Sequence, residues 1–135
     1  MVGVVTLAVA LLVAAFVFRE QTPYEFLRGE RRHWTHIAPY PTIHDESAMI
    51  TYVSDLSISE VEEKARNELL PKGWLVRNGR FVSPGGIAET FRVGSGDSYV
   101  DAVKRGVYGK TLINIHRPAT INDRILAFID GLLGK

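Results

Sequence analysis

The chain has 135 residues, with 16 Lys and Arg against 15 Asp and Glu, for a formal net charge of +1. Charge so balanced and so evenly spread leaves no footprint for a polyanion, and nucleic acid is not an expected partner. Cysteine is missing from the sequence, which excludes disulfides, thiolate metal sites and cysteine nucleophiles together.

Residues 2–18 read VGVVTLAVALLVAAFVF, without a charge and with Thr6 as the single hydroxyl. As a straight helix the run rises about 25 Å, near the short end of what a hydrocarbon core requires. It predicts a transmembrane anchor over residues 1–19. A cleavable signal needs a basic start and a small-x-small site after its apolar stretch. Here the exit is Phe16-Val17-Phe18-Arg19, too bulky for cleavage, so an uncleaved, single-pass signal-anchor is expected. Arg19, Arg28, Arg31 and Arg32 all follow the run, and the positive-inside rule then places the remaining domain on the cytoplasmic side of the membrane.

Residues 20–46 read as a juxtamembrane helix and a proline-rich linker. Thr22 is a capping residue, Pro23 suits the first helical position and Glu25 is the acid three residues after the cap, which predicts a helix over 22–34. Tyr24, Phe26, Arg28, Arg31, Arg32 and Trp34 then mix aromatic rings with guanidinium groups. Such a mixture suits a headgroup interface or a partner membrane protein. The same aromatics could instead cover the core of the next domain. His33, His36 and His44, with Asp45 and Glu46, form the chain's one cluster of metal-ligand chemistry. Pro39 and Pro41 interrupt its spacing and there is no His-Glu-x-x-His helix, so neither a metal nor another cofactor is expected.

Residues 47–135 predict one domain. Residues 48–53 (AMITYV) form a strand. Ser57 and Glu60 then make a capping box, and Ile58, Val61, Ala65 and Leu69 recur at helical spacing, giving a helix with one buried stripe that Pro71 and Gly73 end. Asn78-Gly79 stands between two short apolar runs, the chemistry of a type I′ hairpin turn. Residues 87–93 add a strand with Ile87, Phe91 and Val93 on one side. Residues 99–105 fit either a helix or an edge strand, and residues 110–116 alternate as a strand does. Thr120 and Asp123 cap a final helix whose broad apolar face, Ile121, Ile125, Phe128, Ile129 and Leu132, suits docking across the sheet or, less commonly, a partner surface. The order β-α-β-β-β-β-α predicts an α+β domain, with a mostly antiparallel sheet and helices on one face.

Gly94-Ser95-Gly96 is neither a Walker loop nor a nucleophile elbow. The expected function is therefore a non-catalytic accessory subunit of a membrane protein complex, its partners being the bilayer and other membrane proteins. One alternative is a membrane-tethered hydrolase or metal-dependent enzyme, using His33, His36 and His44 or a serine with His116. Another is an extracytoplasmic ligand-binding or sensory module, with the hairpin and glycine loops at the mouth of a pocket.

Overall fold

A computed structural model describes residues 2–19, 24–39, 46–84 and 89–133. The apolar run forms α1 (Val2–Arg19), 18 residues long. Those residues rise about 27 Å, whereas a hydrocarbon core of about 30 Å asks for about 20 apolar residues, and α1 ends on the charge of Arg19. Among the described residues no helix is long and apolar enough to cross a membrane. This corrects the expected transmembrane anchor, and with it the single-pass assignment, the membrane localisation and the side of the membrane drawn from it.

The remaining elements are β1 (Arg31–Pro39), β2 (Glu46–Ser54), α2 (Ile58–Leu69), β3 (Leu75–Arg77), β4 (Arg80–Val82), β5 (Thr90–Ser95), β6 (Thr111–Pro118) and α3 (Ile121–Leu132). The strands join in one six-stranded sheet, in the order β1-β2-β6-β5-β4-β3, with every neighbouring pair antiparallel. The domain is α+β.

β1 takes residues 31–39 of the helix and linker predicted over residues 20–46. The caps proposed at Thr22 and Pro23 lie outside the described residues. Glu25–Leu27 form a single 3-10 turn, and Gly29 at φ +87° then directs the chain out of any helix. Helix signals lost here because β2 is buried on both faces and needs a neighbour on its outer edge. Trp34, Thr35, His36 and Ile37 pair with Thr51, Ile50, Met49 and Ala48, after a register shift between Arg32 and Trp34.

Alternation along the strands gives the sheet two unlike faces. On the first, Ala48, Ile50 and Tyr52 of β2, Ile113 and Ile115 of β6 and Phe91 of β5 meet Val61, Ala65 and Leu69 of α2 in the main core. The 3-10 turn adds Phe26 and Leu27 to that core. Phe91 lies at the centre of an aromatic group, 4.8 Å from Tyr24, 5.3 Å from Phe26 and 5.1 Å from Trp74 between ring centroids. On the second face a smaller core joins Val53 and Leu112 to Ala102 and Val107. Residues 99–105, compatible in sequence with helix or strand, are neither. They run as successive turns, with Asp101 at φ +62°. Gly96 seats this loop, because a Cβ there would lie 2.0 Å from the Val107 carbonyl oxygen.

The local signals of α2 and α3 stand where the residues put them. Ser57 accepts from the Glu60 amide, Thr120 and Asp123 form a reciprocal capping box, and Asn78 and Gly79 hold φ +52° and +72° in their hairpin turn. The face of α3 divides: Ile121, Phe128 and Leu132 are 75%, 67% and 72% exposed, Ile125 and Ile129 are half-buried, and the buried side holds Leu126 with Asp123 and Asp130.

Candidate functional site

The two buried acids of α3 have their partners in the sheet beneath it. Arg32 of β1 and Arg117 of β6 lie on the helix-covered face. Arg32 donates Nη1 to Asp130 Oδ2 at 2.5 Å and Nη2 to Oδ1 at 3.1 Å, and the Thr35 amide donates to the same carboxylate at 2.8 Å. Arg117 grips Asp123 in the same fork, with Nη2 to Oδ1 at 2.7 Å and Nε to Oδ2 at 3.1 Å. Burial opposes the charge on Arg117, but the hydrogen bond and charge of Asp123 outweigh it, so the guanidinium is held more firmly protonated than usual. Tyr52, buried on the same face, has its hydroxyl pushed up by desolvation, against the pull of Arg117 and Arg32. Asp123 and Asp130, seven residues apart, share one side of α3. Pairing that side with two largely buried arginines leaves Ile121, Phe128 and Leu132 on the outward side.

Ile121, Phe128, Leu132 and Leu133 are consequently exposed, and α1 runs in contact with α3. Along α1, Val4, Val5, Leu7, Val9, Leu11 and Leu12 are all more than half exposed. The two helices thus present neighbouring apolar surface that the domain's own core does not use.

The six residues expected at a membrane interface or partner surface are dispersed. Phe26 is in the main core. Tyr24 packs against that core and donates its hydroxyl to Glu89 Oε1 at 2.8 Å. Arg28 pairs with Glu25 at 3.2 Å on the surface. Arg31 is exposed near the start of the edge strand, Arg32 is locked to Asp130, and Trp34 lies on the opposite sheet face, stacked on His36 at 5.2 Å.

Burial first, then the hydrogen bond to Glu89, raises the Tyr24 pKa well above its ordinary value, which is about 10. Between those values the folded chain keeps a proton that the unfolded chain has released, so stability falls as pH rises above about 10. Tyr24→Phe is expected to flatten that alkaline fall, read as thermal midpoints between about pH 9 and 12. An unchanged slope would remove Tyr24 as its source.

His33 and His36 both lie on β1, Glu46 opens β2, and His44 and Asp45 lie outside the described residues. Among the described residues no group of three or more His, Asp or Glu side chains could hold a metal ion. His116 is on β6, on the face away from the helices.

That second face carries a feature that residue counting missed. Reading across the strands, Arg77 pairs with Arg80, Arg80 with Arg92, Arg92 with Asn114, Asn114 with Thr51 and Thr51 with Trp34. Three arginines therefore stand side by side on β3, β4 and β5. Among the described residues none of them forms an ion pair. Half of the row was available from the sequence, because a two-residue turn at Asn78-Gly79 necessarily sets Arg77 opposite Arg80. Arg92 joins only through the β4–β5 register. Beside the row is a groove of about 430 Å³, with Arg80, Arg92, Asn114 and His116 in its lining and Tyr99 of the 99–110 loop at its side.

No protein-family model, curated protein or solved structure matches this chain.

Proposed function

We propose that the chain is a non-catalytic subunit of a protein complex, joined to a different protein through α1 and the outward face of α3. The observation that carries this reading is the exposed apolar side of α3. α3 buries Leu126 together with Asp123 and Asp130 and leaves Ile121, Phe128 and Leu132 exposed, more apolar surface than a helix leaves when its own domain is its only neighbour. A helix that is apolar on every side, as α1 is, is a buried helix. No described segment of this domain covers it along Val4 to Leu12. Apolar patches of this kind mark association surfaces, and contact between α1 and α3 makes them one surface. The acids on the inner side of α3 add to this reading, because they fix the helix rotation before any partner arrives.

The test uses the chain at native abundance, recovered in a mild detergent and sized together with its bound polypeptides. Co-migration with another protein at fixed stoichiometry is expected. The double substitution Phe128→Glu and Leu132→Glu should reduce that recovery at least tenfold. Both positions are exposed, so the melting temperature of the domain should not move. Recovery as a lone monomer, or full recovery of the partner by the double variant, would overturn the proposal.

A further inference from the structure

The second sheet face points to a ligand site that does not depend on the reading of α1 and α3. We infer that the groove between β4, β5, β6 and the 99–110 loop binds a small phosphate-bearing molecule, its phosphate held by Arg80 and Arg92. Like charges placed directly opposite each other on neighbouring strands are unfavourable, and here the unfavourable pairing is repeated, Arg77 on Arg80 and Arg80 on Arg92. No carboxylate among the described residues forms an ion pair with any of the three. All three arginines are exposed, so packing does not require their charge. An oxyanion bridging neighbouring guanidiniums removes the repulsion and meets two planar forks in the geometry they prefer.

The remaining lining fits the same ligand. Thr90 contributes a hydroxyl, His116 an imidazole and Asn114 an amide, and none of the groove's lining residues is acidic. Thr51 donates to Asn114 Oδ1 at 2.8 Å, which engages the acceptor end of that amide and leaves its NH₂ as the end to offer a ligand. Tyr99 and Met49 supply apolar wall, lowering the local dielectric beside the charged groups. A volume of about 430 Å³ falls in the range of small-molecule sites. The loop carrying Tyr99 is fixed at the groove's side by Gly96, whose close approach to Val107 leaves no room for a side chain. A bounded groove favours a small organic phosphate over a polymer lying across the whole sheet.

The test is calorimetric titration of the full chain with inorganic pyrophosphate, with citrate and a ten-residue oligothymidylate as comparison probes. Pyrophosphate is expected to bind saturably at one per chain and more weakly as salt rises. Arg80→Gln and Arg92→Gln should each weaken binding at least tenfold, while Arg77→Gln, outside the groove lining, should change it less than twofold. Arg92→Lys, which keeps the charge but loses the fork, should fall between the parent and Arg92→Gln. These side chains are exposed, and circular dichroism should show every variant folded. Absence of saturable binding, or binding indifferent to Arg80→Gln and Arg92→Gln, would overturn the site. Tighter binding of citrate would overturn the phosphate assignment. Tighter binding of the oligonucleotide, with Arg77→Gln as damaging as Arg92→Gln, would replace the small molecule with a strand.

Discussion

Asp130→Ala is expected to destabilise the domain by about 3 to 5 kcal/mol, the range seen when one partner of a buried ion pair is removed. The Asp130 side chain is 1% exposed and that of Arg32 9%. Without the carboxylate the guanidinium remains largely buried, and its Nε has no hydrogen-bond partner among the described residues even in the intact protein. The Thr35 amide loses its acceptor as well. The double substitution Arg32→Met and Asp130→Leu is expected to recover most of the loss, because it removes the stranded charge with its partner. Urea denaturation of the parent, both single variants and the double variant gives the coupling directly. A loss below about 1 kcal/mol for Asp130→Ala would class the pair with exposed salt bridges, and the electrostatic account of how α3 is oriented would then fail.

Phe91→Ala should cost about 3 to 5 kcal/mol, as large-to-small aromatic changes in a core do. Phe91 is fully buried and is the ring shared by Tyr24, Phe26 and Trp74. Its loss opens a cavity under the segment that leads into β1. That segment is otherwise tied by Glu68, which accepts from the Phe26 amide at 2.7 Å and the Glu25 amide at 3.1 Å. Amide exchange at residues 25–27 should therefore quicken more than exchange in β6. Equal quickening throughout would show that the aromatic group supports the whole sheet and not this corner of it.

What the residues announce locally, the structure contains. Ser57 with Glu60, Asn78 with Gly79 and Thr120 with Asp123 act across two to four residues, so their geometry is written in adjacent letters. β1 was hidden because its pairing is decided by β2, while arginine, histidine and proline mask its strand pattern. The orientation of α3 was hidden for a related reason. Periodicity says which residues share a side of a helix, but here Arg32, 98 residues from Asp130, chooses the side that is covered. The apolar run at the N-terminus was legible as a helix, but among the described residues no helix is both long and apolar enough to cross a membrane. Of the arginine row, the turn disclosed one pair. Adding Arg92 required the length of the β4–β5 connection, which sequence does not translate into a register.

The order of the sheet also bears on how the chain comes to be folded. Among the described strands β6 is the last to be made, yet it lies in the middle, joining the β1–β2 pair to the β3–β5 meander. During synthesis from the N-terminus, β2 and β5 wait with open hydrogen-bonding edges until Thr111–Pro118 has left the ribosome, and such edges invite pairing with other chains. Nascent chains shorter than this carry two half-sheets joined through α2 and the Glu25–Leu27 turn but not through strand pairing. β6 is thus the keystone of the sheet, the strand whose pairing closes both open edges.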